Sequence, residues 1–214
     1  GAVIQSNNIK NTAWKQGMSA MNAFGIDAKG KNTLVSYNSL DSSAYIGIQY
    51  FGDGTTISNN FITNFDVYLT DGGGIYTWNG WGGAVKSNLK VLNNIIINRH
   101  TDIGDVGIYL DDWSNNIEVT GNTVAGCGSG MSAGNAFNAK FKNNTSFDNN
   151  MSQIFLLRSS TQPVAGKKGL DYLEVTGNIF FVKAPVTNGD GSNSMFIMAA
   201  AAGSGLPTNS TFDY

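Results

Sequence analysis

The sequence predicts an all-β protein, a parallel β-helix (solenoid) of about seven coils, and three observations support this fold class. A short asparagine motif recurs along the chain, a Gly-apolar-x-apolar segment follows most of its copies, and only three prolines are available to interrupt strand pairing. The spacing between motifs varies, from 22 residues between Asn38 and Asn60 to 34 residues between Asn60 and Asn94. Such variation is typical of a solenoid in which a constant core carries loops of different length.

The asparagine motif has an apolar residue, two further positions, an asparagine, one position and a second apolar residue, as in "ISNNFI", "VLNNII" and "VTGNTV". The aligned asparagines are Asn7, Asn38, Asn60, Asn94, Asn122, Asn144 and Asn178. If each copy lies over the preceding one at a turn, the amides can hydrogen-bond along the axis as in asparagine ladders. Asparagine also tolerates the left-handed backbone of a sharp turn. We therefore predict a structural role for this row.

The second element is a short strand with the form of "GIYT" at Gly74 or "GIYL" at Gly107. Its period-two alternation predicts a strand with one face in the core. The expected inward residues are Ile26, Ile48, Ile75, Ile108, Met131 and Ile154. The expected outward residues form two columns, Asp27, Gln49, Tyr76, Tyr109, Ser132 and Phe155, and then Lys29, Phe51, Trp78, Asp111, Gly134 and Leu157.

Composition excludes several classes of function. Lys and Arg number 13 against 15 Asp and Glu, a net charge of -2, so no basic footprint for nucleic acid or an anionic membrane is expected. No apolar run approaches the roughly 18 residues of a membrane span. Cys127 is the only cysteine, which excludes an intrachain disulfide and a thiolate metal cluster and favours a buried, inert thiol. We expect no cofactor and no metal, because the Asp and Asn residues near 102–116 match no calcium loop.

The two ends of the sequence lack visible caps. The closing "STFDY" puts Phe212 where another coil would begin. Solenoids need capped ends for solubility. We therefore expect one β-helix domain over residues 1–214, truncated at one or both ends, with further coils of a parent chain or neighbouring subunits as partners.

The candidate binding surface centres on "TDGGGIYTWNGW", residues 70–81. Its glycines allow a tight turn that leaves Asp71 uncluttered. The residues expected to bind substrate are Tyr76, Trp78, Trp81, Tyr109 and Trp113, with Arg99 and His100 from a neighbouring loop. Exposed aromatic rings usually mark a binding surface, and rings beside carboxylates suit a sugar. The alternative is that the tryptophans fold back over the coil as a hydrophobic flap.

Three acids are candidates for catalysis. Asp71 enters the third coil, while Asp111 and Asp112 leave the fourth. One axial step with a lateral offset would separate two of these carboxylates by roughly 5 to 10 Å, which spans the retaining and inverting glycosidase geometries. One acid would need a raised pKa to protonate the leaving oxygen. The alternative is ordinary turn chemistry, for which Asp before Gly is well suited.

The segments "NTLVSYNSL", "DGGGIYTW", "VGIYLDDWSNNIEVTGNTV" and "NAFNAKFKNNTSF" resemble the right-handed parallel β-helix proteins secreted by polysaccharide-degrading bacteria. The resemblance is greatest to the glycoside hydrolase family 141 type. It implies a secreted or cell-surface protein, a polysaccharide or oligosaccharide partner, and a catalytic pair at Asp71 and Asp112. Relatives often carry His-Asn near the end of the fifth coil, where this chain has Ser132, Gly134 and Asn135.

Three functions remain open on sequence alone. The first is a secreted glycoside hydrolase that uses the aspartates. The second is a lyase of the same fold, which needs a base such as Lys29, Arg99, His100 or Arg158. The third is a noncatalytic surface, filament or glycan-binding protein that uses the solenoid as a rigid rod or binding face.

Overall fold

The computed structural model describes residues 1–15, 17, 22–80, 84–98, 104–160, 163–164, 166–183 and 194–213. Within these ranges the chain contains no α-helix, and no helix that could cross a bilayer. The strands in chain order are β1 (Val3–Gln5), β2 (Asn8–Thr12), β3 (Ile26–Ala28), β4 (Leu34–Ser36), β5 (Ser39–Ser43), β6 (Ile48–Tyr50), β7 (Thr56–Ser58), β8 (Phe61–Thr63), β9 (Gly72–Thr77), β10 (Leu89–Leu92), β11 (Ile95–Ile97), β12 (Asp105–Leu110), β13 (Asn115–Thr120), β14 (Thr123–Ala125), β15 (Ser129–Gly134), β16 (Phe137–Lys142), β17 (Thr145–Phe147), β18 (Ser152–Arg158), β19 (Glu174–Thr176), β20 (Ile179–Phe181), β21 (Ser194–Ala200) and β22 (Thr211–Phe212).

The strands form three parallel sheets that the chain visits in turn. The first sheet has the order β1-β4-β7-β10-β13-β16-β19-β22 and the second β2-β5-β8-β11-β14-β17-β20. The third has the order β3-β6-β9-β12-β15-β18-β21. Each coil therefore adds one strand to each sheet, which confirms the predicted all-β parallel β-helix.

The core is a set of apolar columns that run along the axis. In the third sheet Ile48 pairs with Ile75, Ile75 with Ile108, and Ile108 with Met131. All four side chains are fully buried. The outward column follows the same register, because Tyr76 pairs with Gln49 on one side and Tyr109 on the other. The inward apolar column and the register of the first outward column, which contains Tyr76 and Tyr109, therefore match the sequence prediction.

The seven aligned asparagines are joined side chain to side chain at the turn between the first and second sheets. Each Nδ2 donates to the Oδ1 of the next asparagine at 2.9 to 3.0 Å, from Asn7 through to Asn178. Each Oδ1 also accepts the backbone N–H of the preceding asparagine, as in the 2.9 Å bond from Asn60 N to Asn94 Oδ1. These bonds satisfy buried polar groups that a turn would otherwise leave unpaired.

The glycine of the Gly-apolar-x-apolar motif in the third sheet is required by close contact between coils. A Cβ at Gly47 would lie 2.5 Å from the Gly74 carbonyl oxygen. A Cβ at Gly107 would lie 2.2 Å from the Val124 side chain. These contacts are too short for any larger residue, so the glycine of the Gly-apolar-x-apolar motif lets neighbouring coils approach.

We expect Asn94→Ala to lower the free energy of unfolding by about 3 kcal/mol, because it removes a buried amide and leaves the Asn60 N–H without its acceptor. Asn94 also donates to Ile57 O and to Asn122 Oδ1, both at 3.0 Å. Chemical denaturation measures the change. Asn8→Ala, which alters an exposed asparagine of β2, is the control and should change stability by less than about 0.5 kcal/mol. Equal stability of the two variants would contradict this role.

Candidate functional site

Asp71 lies directly before β9, which begins with three glycines, and it has a left-handed φ of 65°. Gly72 and Gly73 pair in register with Asp105 and Val106 of β12. A Cβ at Gly73 would lie only 3.3 Å from the Tyr109 Cβ, so the glycine leaves room for this tyrosine. The carboxyl group of Asp71 interacts with Tyr109, a residue of the next coil.

Tyrosine hydroxyls surround two of the acids. Tyr76 Oη donates to Asp111 Oδ2 at 2.7 Å, and Tyr109 interacts with both Asp71 and Asp111. The Tyr76 and Tyr109 rings meet edge to face, with centroids 5.5 Å apart. Tyr45 Oη donates to the Asp71 carbonyl oxygen at 2.7 Å. Acids from two neighbouring coils are therefore held around one pair of stacked tyrosines.

Asp112 is positioned by a buried asparagine of the fifth coil. Asn135 is fully buried, and its Nδ2 donates to Asp112 Oδ1 at 2.7 Å. Its Oδ1 accepts the backbone N–H groups of Ser159 and Ser160 at 2.9 and 3.1 Å. Those two bonds orient the amide, so that its NH₂ group faces Asp112.

The pKa values of two of these acids, Asp71 and Asp112, are raised. Burial raises the pKa of Asp71, and the negative charge of Asp111 raises it further, against the opposing hydrogen bond from Tyr109. Burial also raises the pKa of Asp112, while the Asn135 hydrogen bond opposes the shift. Burial and the nearby acids raise the pKa of Tyr45 to about 12. The pKa values of Tyr76 and Tyr109 are raised for the same reasons, so these hydroxyls are donors at neutral pH.

An open groove of about 350 Å³ extends from Asp111 towards the first coils. Its lining residues are Phe24, Lys29, Tyr45, Ile46, Gln49, Phe51, Tyr76, Trp78 and Asp111. Trp78 is 41% exposed, as a ring on a binding surface should be. The predicted aromatic surface at Tyr76 and Trp78 is therefore accessible and lies beside Asp111.

The prediction that Trp113 belongs to this surface is wrong. Its side chain is only 2% exposed. Trp113 has a left-handed φ of 63°, and its N–H donates to Gly134 O at 3.2 Å. The chain turns at this residue, and the ring is buried because removing so much apolar surface from water is favourable.

The other predicted residues have different outcomes. Trp81, Arg99 and His100 lie outside the described residues. Lys29 lines the groove, and its Nζ pairs with Asp27 at 2.8 Å.

Arg158, a candidate base for a lyase, is 1% exposed and pairs with Asp171 at 2.7 Å. It also donates to the carbonyls of Ser204, Gly205 and Leu206. Because all of these bonds hold the end of the chain in place, Arg158 is structural. Among the described residues no group of three or more His, Cys, Asp or Glu side chains could hold a metal ion.

Sequence reasoning missed three residues of the site. Phe24 and Tyr45 each precede a strand of the third sheet, β3 and β6, but at different distances from it, so no column of the repeat predicts them. Asn135 was noted only as part of a departure from relatives. The feature of the sequence that could have indicated it is its position directly after Gly134, the last residue of β15.

A buried acid lies beneath the site. Asp66 is 5% exposed, and neither carboxylate oxygen has a hydrogen-bond partner among the described residues. Burial raises its pKa to about 9, with further contributions from Asp105 and Asp71. Asp66 is therefore protonated at neutral pH in the folded protein.

The chain belongs to the family described as right handed beta helix region, whose model matches residues 1–181. A comparison with curated proteins gives no match. Among solved structures the chain is similar to the catalytic unit of the thermostable GH87 alpha-1,3-glucanase from Streptomyces thermodiastaticus strain HF3-3. The identity is 11% and the TM-score 0.41, over 98% of this chain and 44% of that one. The chain thus spans less than half the length of that structure, and the resemblance to the family 141 type stays a prediction.

We expect Asp66→Asn to remove a pH dependence of stability. The folded pKa of about 9 lies above the unfolded value, so the native state binds the extra proton and wild-type stability falls as pH rises from about 4 to about 9. Denaturation at a series of pH values should show the free energy of unfolding of Asp66→Asn rising relative to that of wild type, by up to about 1.4 kcal/mol for each pH unit.

Asp41→Asn is the matched control for this measurement. Hydrogen bonds from Asn64 and Ser42 lower the pKa of Asp41, so its titration lies below the same pH range. Its stability difference from wild type should stay constant between about pH 5 and pH 9. A constant difference for Asp66→Asn as well would contradict the buried neutral acid.

Proposed function

We propose that this protein is a glycoside hydrolase that acts on a polysaccharide outside the cell. The observation that carries the proposal is the proximity of Asp71, from one coil, to Asp111, from the next, which Tyr76 Oη holds by a 2.7 Å hydrogen bond and whose charge raises the pKa of Asp71. Glycosidases use two carboxyl groups in different protonation states on either side of the scissile bond. Acids in unlike environments beside an open groove fit this requirement.

Asp71 is proposed as the general acid. Its pKa is raised first by burial and then by the field of Asp111, which favours a proton available for the leaving oxygen. Asp71 also stands at the exposed rim of the sheet, where a substrate can reach it.

Asp111 and Asp112 are proposed to supply the partner carboxylate. Asp111 accepts hydrogen bonds from Tyr76 Oη and from the Asp112 backbone N–H, each at 2.7 Å, so its orientation is fixed. Asn135 fixes Asp112 in the same way, at 2.7 Å. A fixed carboxylate needs little rearrangement to stabilise positive charge on the sugar or to activate a water.

The groove supports a sugar chain as the substrate. Phe24, Phe51 and Trp78 give flat apolar surfaces, and Gln49 and the acids give hydrogen-bonding groups. This mixture suits a sugar, whose C–H face packs on rings while its hydroxyls bond to polar groups. The same groove would serve a glycan-binding protein without catalysis, and turnover distinguishes the two.

We expect Asp71→Asn and Asp112→Asn each to reduce turnover by roughly 10²- to 10⁴-fold, the usual contribution of a general acid or base. The measurement is the release of reducing ends from a panel of polysaccharides. Both variants should melt at or above the wild-type temperature, because each substitution removes a partly buried charge.

Asp148→Asn, an exposed acid outside the site, is the control and should retain turnover. Wild-type protein without turnover on the whole panel, or full activity in both site variants, would rule out the hydrolase. Products with the ultraviolet absorbance of an unsaturated uronate would instead indicate a lyase.

We expect Trp78→Ala to raise KM about tenfold with a smaller effect on kcat, since loss of one aromatic contact costs roughly 1 to 1.5 kcal/mol. Trp14→Ala is the matched control, because Trp14 is 43% exposed and packs on Tyr68 with centroids 5.2 Å apart, away from the groove. Equal KM values for wild type and Trp78→Ala would contradict stacking on this ring.

A further inference from the structure

A second groove lies on the first sheet, apart from the acidic site on the third. It has a volume of about 290 Å³ and is lined by parts of β10, β13 and β16. Its lining residues are Lys86, Ser87, Asn88, Lys90, Asn116, Ile117, Glu118, Asn138 and Lys140. A smaller groove of about 220 Å³ shares Asn116 and Asn138 with it and adds Lys167 and Tyr172. The two together form one surface, here called the lysine groove.

The lysine groove is positive in a chain that is negative. Its cations are Lys86, Lys90, Lys140 and Lys167, and its one acid is Glu118. Lys140 also shares Glu174 with Lys142, at 3.7 and 2.5 Å respectively. Lys86 and Lys90 form no ion pair with any residue that the structure describes. The lining therefore has a net charge of +3, against -2 for the whole chain.

The coil register spaces the charges regularly. In the register of the first sheet Lys90 lies opposite Glu118, and Glu118 lies opposite Lys140. Lys90 and Lys140 are thus two strands apart, about 9.6 Å. The ordinary function of such a row is cross-strand pairing of opposite charges. Lys86 lies outside this row, on the loop before β10, so the groove has cations on both sides.

Amide side chains form the floor between these cations. Asn88, Asn116 and Asn138 occupy equivalent positions in three coils, each with a left-handed φ between 49° and 55°. Asn138 Nδ2 donates to Asn116 Oδ1, and Asn116 Nδ2 donates to Lys86 O at 2.8 Å. The row is rigid, and it presents polar groups that can bond to hydroxyls.

We propose that the lysine groove binds an anionic polysaccharide, one that carries carboxylate or sulfate groups. Lysine ammonium groups pair with the anions, and the asparagines bond to the hydroxyls that alternate with them. A nucleic acid fits less well. The exposed ring of this groove, Tyr172, has the Lys167 ammonium 3.9 Å from its centroid, so that face is closed to a stacking base. This binding does not depend on hydrolysis at Asp71.

Affinity electrophoresis in native gels tests the proposal. The gels contain polygalacturonate, chondroitin sulfate or uncharged dextran, and a single-stranded thymidine oligonucleotide is tested by mobility shift. We expect wild-type protein to be retarded by one or both anionic glycans and not by dextran. Binding should weaken when salt is raised from about 50 to about 200 mM.

The variant Lys86→Gln/Lys90→Gln should bind about tenfold more weakly, the change expected when two surface charge pairs are lost. Lys10→Gln/Lys15→Gln makes the same change of net charge at exposed lysines of the first coil and should bind as wild type does. Equal binding by the groove variant, or an equal loss in the control, would overturn the proposal. Binding of the oligonucleotide with no binding of either anionic glycan would overturn it as well.

Discussion

The in-register stacking of parallel strands is the constraint on which the rest of this structure depends. Each strand pairs with its equivalent one coil away, so a residue type that recurs once per coil becomes a continuous column. Inside the helix the columns are apolar and buried, and at the turn the asparagines bond to one another. A slip of one residue would turn every buried side chain of a strand outwards. The isoleucine columns and the asparagine bonds therefore hold the same register from two sides.

The candidate site lies where side chains of neighbouring coils meet across this regular stacking. Asp71 comes directly before the glycines of β9, and its carboxyl group interacts with Tyr109 of the next coil. Raised pKa values at Asp66, Asp71 and Asp112 show that the site concentrates carboxyl groups where burial disfavours their charge. Such an arrangement costs stability, and the repeated core on either side offsets the cost.

Charge is also divided between the faces of the helix. The acids lie at the strands of the third sheet, next to β9 and β12, whereas Lys90 and Lys140 lie on β10 and β16 of the first sheet. The net charge of the whole chain, -2, does not reveal this difference between the two faces. A solenoid can thus present one surface for chemistry and another for holding an extended glycan, because its three sheets face in different directions.

The sequence by itself determined the fold, the register of the third sheet and the identity of the buried columns. These follow from repetition: Ile75 and Ile108 occupy the same place in successive motifs, and parallel pairing requires equal places to stack. It also predicted that Asp71 and Asp111 would share a face. Only the tertiary structure decided the details that break the repeat. The burial of Trp113, the hydrogen bond from Asn135 to Asp112 and the approach of Tyr45 to Asp71 depend on loops of unequal length, whose paths are set by packing between coils. No periodic signal in the chain encodes such contacts.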